Sequence, residues 1–109
     1  MDFKEYSEKA LRTAATYDTI EEQITEAGLG ISGEAGEVAD HVKKILFQGH
    51  DLERKEILLE LGDIGWYLNL MLDALGYTWE EMWIMNIEKL EKRYPTGEFR
   101  IQDSVNRVV

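Results

Sequence analysis

The sequence predicts an all-α fold, a helical bundle of four main helices with an antiparallel central hairpin. Three observations predict it. The 109 residues contain a single Pro, so few breaks interrupt helical periodicity. Runs of alternating Val, Ile and Thr, the mark of half-buried strands, are absent. Two long apolar stripes recur at steps of four and three, as the seams of packed helices do.

The elements follow in order. About residues 2–15 set Phe3, Tyr6, Ala10, Leu11 and Ala14 at helical spacing. Asp18 or Thr19 is placed to cap a second helix running to about Leu46, with the stripe Ile24, Gly28, Ile31, Ala35, Val38, Val42 and Ile45. Asp51 is placed to cap a third helix, running to about Leu75 and stopped by Gly76, with the stripe Ile57, Leu61, Ile64, Leu68, Met71 and Leu75. The connection, about Phe47 to Asp51, is short, so these two helices should be antiparallel neighbours. Thr78-Trp79-Glu80-Glu81 is a capping box opening a fourth helix, which ends near Tyr94 before Pro95. The expected core is the two stripes with Trp79, Met82, Trp83, Ile87 and Leu90. Residues 1–109 read as a single domain, in which 96–109, with weaker periodicity, form an arm or lid.

Composition excludes several classes of function. With no Cys there is no disulfide framework, thiolate zinc site, iron–sulfur cluster or Cys nucleophile. The net charge of −10 argues against a nucleic-acid polymer as partner, which needs a basic surface. No apolar run is long enough to span a membrane, and Met1-Asp2-Phe3-Lys4-Glu5 lacks the layout of a signal peptide. A cytoplasmic protein is the expectation. A chain this short has a small core and no disulfide to help it, which makes an oligomer an open option. Basic residues gather near the C-terminus, around Lys89, Lys92 and Arg93.

Two acidic pairs carry the chemistry, Glu34-Ala35-Gly36-Glu37 and Glu60-Leu61-Gly62-Asp63. Each pair is spaced i,i+3 and so lies on one helix face. Each member precedes a stripe residue, so both pairs occupy the same flank of their stripes. Like flanks face each other when two helices pack antiparallel, and the pairs lie equally far from the turn. Glu34, Glu37, Glu60 and Asp63 should therefore converge beside one seam. Four carboxylates within a few ångströms cannot all ionise unaided. A hard divalent cation resolves this, and all-oxygen ligation suits Mg²⁺ or Mn²⁺ better than Zn²⁺. Mg²⁺ commonly bridges to substrate phosphates, which makes a phosphorylated small molecule the natural partner. Solvated charges beside an ordinary seam are the plainer alternative.

Other signals are weaker. Gly28-Leu29-Gly30-Ile31-Ser32-Gly33 fits a dinucleotide-binding pattern, but no strand precedes it. Gly28, Gly30, Gly33 and Gly36 are unfavourable inside a helix and imply either the close approach of a neighbour or a kink. His41 and His50 read as surface or capping residues rather than ligands. Asn86, Lys89 and Arg93 share a helix face beside Tyr94, a set suited to phosphate oxygens and a sugar hydroxyl. A polar outer face is the alternative. Trp66 and Tyr67 could stack on a base, or belong to the core.

At these residues the sequence resembles the MazG-like nucleoside triphosphate pyrophosphohydrolases, within the all-α NTP pyrophosphatase superfamily. The signature of that family is Glu-Glu-x-x-Glu followed at a distance by Glu-x-x-Asp. Here Gly33-Glu34-Ala35-Gly36-Glu37 precedes Glu60-Leu61-Gly62-Asp63. Asn86-Ile87-Glu88-Lys89-Leu90 through Arg93-Tyr94-Pro95 is similar to the family's downstream segment. The resemblance implies a homo-oligomer, dimer or tetramer, and Mg²⁺-dependent cleavage of an NTP or dNTP between the α and β phosphates, giving NMP and pyrophosphate. It implies Glu34, Glu37, Glu60 and Asp63 as metal ligands, with Asn86, Lys89 and Arg93 on the nucleotide. Lys89 and Arg93 would take developing charge on the pyrophosphate. Glu37 and a metal-bound hydroxide are both candidates for the base. Gly33 stands where the signature has its first Glu, which leaves the metal count open. Two other readings keep the fold: a phosphoribosyl-ATP-type pyrophosphohydrolase, and a nucleotide-binding or helical interaction module without turnover.

Overall fold

A computed structural model describes residues 1–107 of the chain. Among them every regular element is helical: α1 (Phe3–Leu11), α2 (Ile20–Phe47), α3 (Arg54–Leu75), α4 (Trp79–Arg93) and α5 (Ile101–Val105). The chain forms two compact units, Met1–Gly76 and the residues from Tyr77 onward.

The first unit is built on the α2–α3 hairpin. Thr19, not Asp18, caps α2; its side chain accepts from the Glu22 amide at 3.1 Å, and Glu22 in turn accepts from the Asp18 amide. The helix ends at a turn where Gly49 takes φ +73°, a left-handed value that favours glycine. Asp51 does not cap α3. The helix starts three residues later, behind Glu53, with no side-chain cap bond. Its other end is stopped by Gly76 at φ +77°, as the sequence predicts. Contacts along the hairpin run antiparallel. The Gln23 amide donates to the Leu70 carbonyl at 3.0 Å and to the Asp73 carboxylate at 2.8 Å, whereas His41, near the turn, faces Glu56.

The close approach implied by the glycines is real at one position. A methyl on Gly30 would run into the ring of Tyr67, whereas Gly33 and Gly36 face open space. The short residue at 30 lets the two helices close around that ring.

α1 packs on α3 and is shorter than predicted. The Ala10 carbonyl accepts from the Thr13 hydroxyl and from the indole N–H of Trp66, both at 3.0 Å. The backbone closes here with three-residue turns, Arg12 N–H to the Lys9 carbonyl at 3.3 Å and Thr13 N–H to the Ala10 carbonyl at 3.2 Å, and the helix ends at Leu11 rather than near 15. Asn69, 2% exposed, donates to the Ser7 carbonyl. The dry centre of the unit is small: Ala10, Ala27, Leu70 and Leu72 beside Asn69.

The expected core therefore needs correction. Within one chain, Val42, Leu61 and Leu75 of the stripes stay exposed, as do Trp83, Ile87 and Leu90 of α4. Ile24, Ile31, Val38, Ile57, Ile64 and Leu68 are half-buried. The packing of α1, α2 and α3 covers the stripes only in part.

In the second unit, the capping box opens α4 as predicted. Thr78 accepts from the Glu81 amide, and Glu81 accepts from the Thr78 amide, each at 3.1 Å. The stretch after Pro95, expected as an arm or lid over 96–109, carries the short helix α5; Val108 and Val109 of that stretch lie outside the described residues. No helix among the described residues is long and apolar enough to cross a membrane.

Candidate metal centre

Helical spacing and hairpin register together assemble the acidic site. Glu34 projects from α2, and Glu60 and Asp63 from successive turns of α3. Each offers an oxygen atom, and the three lie within 4.8 Å of one another. Glu34 and Glu60 are half-buried and Asp63 is exposed. Glu37, on the same face of α2 but a turn closer to the connection, lies outside this set and is exposed. Its charge still reaches Glu34.

The electrostatics follow from that geometry. The Glu34 carboxyl is held above its ordinary range, first by a hydrogen bond shared with Glu60, then by desolvation, then by the charges of Asp63, Glu60 and Glu37. Two carboxylates share a hydrogen bond only when one carries a proton. A hard cation would take the place of that proton and let all three groups ionise. The donor set, oxygen only and open to solvent on one side, fits Mg²⁺ or Mn²⁺, which keep waters and accept phosphate oxygens.

Two neighbours went unrecognised in the sequence. Tyr6 of α1 comes close enough to Asp63 that burial, and then the Asp63 charge, raise its phenol pKa. Its position in the apolar stripe of α1 concealed this. His41 turns one ring nitrogen toward Glu60 and the other toward Glu56. Its i+4 spacing from Glu37 was a signal, but toward the wrong partner.

Trp66 gives its indole N–H to Ala10 and Thr13 and stands edge-on to Tyr67, with ring centroids 5.1 Å apart. It is held between α1 and α3. In the second unit, Asn86 and Lys89 line one shallow depression with Met85, Glu88 and Lys92. Arg93 is half-buried and outside that lining, and the Tyr94 ring packs 5.5 Å from that of Phe99.

A helical hairpin that gathers carboxylates from both of its helices defines a class of all-oxygen sites suited to phosphate chemistry. Comparison with known proteins makes the class specific. Residues 22–108 match the MazG nucleotide pyrophosphohydrolase domain, and the chain belongs to that family. Members generally depend on a divalent metal. The chain is also 33% identical over 88 residues to the Gene 37 protein of Mycobacterium phage L5, a match covering 77% of this chain and 76% of the relative. That relative's name states no activity. No solved structure matches the chain.

Proposed function

We propose that the protein is a Mg²⁺-dependent nucleoside triphosphate pyrophosphohydrolase. It would cleave an NTP or dNTP between the α and β phosphates: water adds to one phosphorus, the bridging P–O bond breaks, and NMP and pyrophosphate leave. The observation that carries the reading is the approach of Glu34, Glu60 and Asp63 within 4.8 Å in a chain of this family.

Glu34, Glu60 and Asp63 would hold the cation, with Glu37 at the rim as a further ligand or as the base. When bound, Mg²⁺ supplies charge neutralisation and a more acidic water. Lys89 and Arg93 would offset charge developing on the pyrophosphate, and Asn86, Tyr94 and Trp66 would bind the rest of the nucleotide. The sequence segment around Asn86, Lys89, Arg93 and Tyr94, rather than any distance, supports those four assignments, and Trp66 rests on its place one turn past Asp63. Mn²⁺ should substitute for Mg²⁺. A cytoplasmic location goes with such a substrate.

The exposed apolar residues support an oligomer. Phe47 is 82% exposed, Leu59 70% and Leu58 66%, beside the exposed residues of the stripes. This many large exposed apolar side chains on a small domain suit an interaction surface, and a second copy of the chain is the occupant we propose. Light scattering should give a particle of two or more chains.

The activity is tested by a panel of NTPs and dNTPs, with product identification, in the presence and absence of Mg²⁺. Pyrophosphate and NMP should appear only with the metal. Release of orthophosphate, or turnover indifferent to chelation, would contradict the reading. Gly33, which lacks the carboxylate of the full signature, favours a second reading as a nucleotide-binding module. Calorimetric binding of nucleotide with no product would establish that reading instead.

A further inference from the structure

We propose that His41 is a positioning residue for the metal centre, donating from its Nε2–H to Glu60 so that this carboxylate keeps one oxygen free for the cation. The inference rests on the metal reading above and concerns a residue outside the acidic pairs.

His41 lies on α2, one turn beyond Glu37, with its side chain 25% exposed. Its Nε2 is 3.9 Å from Oε1 of Glu60, and its Nδ1 is 4.0 Å from Oε2 of Glu56. Glu56 and Glu60 are one turn apart on α3, so the imidazole bridges the two helices and each ring nitrogen meets a carboxylate. Glu60 is thus flanked on both sides. Glu34 brings a carboxylate oxygen within 4.8 Å of one of its own, and His41 stands within about 1 Å of hydrogen-bond distance.

A ligating carboxylate held only by the metal can rotate away or chelate through either oxygen. A donor fixed on the neighbouring helix removes that freedom. Outer partners of this kind are worth roughly 10- to 100-fold in metal affinity. The arrangement also explains why a histidine suits a position flanking the seam: two nitrogens on opposite sides of a flat ring reach successive turns of α3.

The test is Mg²⁺ binding to the nucleotide-free protein by calorimetry, on wild type, His41→Phe, His41→Gln and Glu60→Gln, with metal-free melting temperatures recorded for each. His41→Phe keeps the ring volume and removes the donor, and it should weaken Mg²⁺ at least tenfold. His41→Gln keeps an N–H donor on a flexible arm and should recover most of that loss. Wild-type Mg²⁺ affinity in His41→Phe overturns the inference. So does an equal loss in both His41 variants, because rescue by a donor is what separates positioning from general disturbance of the fold. Glu60→Gln distinguishes the two levels. If it loses Mg²⁺ while His41→Phe does not, only the role of His41 falls. If it too binds as wild type, the metal centre falls and the role of His41 with it.

Discussion

Glu34 and Asp40 stand less than two turns apart on the same helix, and their surroundings push them in opposite directions. Asp40 accepts from Lys44 at 2.8 Å and from Lys43 at 3.1 Å, and these two cations, Lys44 foremost, hold its pKa down to about 2. Glu34 has Glu60, Asp63 and Glu37 for neighbours, and its pKa is raised. One acidic stretch is neutralised by its own helix, and the other is left with a deficit of positive charge. A protein gains no stability from stacking carboxylates face to face across a seam. Such a deficit points to a cation from outside, and the difference between the two stretches separates a surface ion pair from a binding site.

The comparison is broken most severely by removing a carboxylate. Asp63→Asn or Glu60→Gln should lower kcat for pyrophosphate release by at least about a hundredfold, the scale of losing one electrostatic stabiliser. Asp40→Asn should leave turnover within about twofold of wild type, since its charge is already satisfied. Equal effects at positions 40 and 63 would erase the distinction.

Metal should act on the folded state in the same pattern. At a free Mg²⁺ concentration about a hundredfold above Kd, wild type should gain about 2.7 kcal/mol of stability, read as a rise in melting temperature. Asp40→Asn should gain as much, and Asp63→Asn little.

The glycines sharpen the contrast between the packed and the open parts of α2. Gly30→Ala should destabilise by about 1–3 kcal/mol, because the Tyr67 ring occupies the space a methyl needs. Gly33→Ala meets nothing within 4 Å and should stabilise by up to about 1 kcal/mol through helix propensity. Urea denaturation measures both.

The smallest effect is on pH dependence without metal. Glu34 binds its proton more tightly folded than unfolded, so its contribution is fully present below the ordinary carboxylate value of 4.5 and is lost as pH rises through the raised value. Asp40 behaves oppositely: its contribution is present above 3.8 and disappears as pH falls toward about 2. In chelator at neutral pH, Glu34→Gln should therefore melt above wild type, and Mg²⁺ should reverse the order. A Glu34→Gln profile that overlays wild type from acid to neutral would contradict this.

Much of this was legible from residue spacing. The i,i+3 pairs and their equal distance from the turn brought Glu34 to Glu60 and Asp63, because antiparallel helices fix height and flank with little freedom. Gly76 and the Thr78–Glu81 box announced themselves through backbone chemistry, whereas the sequence left the α2 cap open between Asp18 and Thr19. What escaped depends on side-chain direction and on tertiary partners. Glu37 shares a helix face with Glu34, yet it sits a turn nearer the connection, outside the cluster. Asp51 is a good cap by type, but the helix begins only at Arg54, behind Glu53. The stripes predicted a core, whereas a single chain covers only part of them, since periodicity shows that a face is apolar and not what lies on it. His41 looked like a surface residue until α3 brought Glu56 and Glu60 alongside.

Anomalous diffraction from crystals grown with Mn²⁺ decides whether the three carboxylates hold a cation. A single strong peak bounded by oxygens of Glu34, Glu60 and Asp63 is the predicted result. Ordered carboxylates with no peak between them, at a Mn²⁺ concentration that supports or saturates activity, would contradict it.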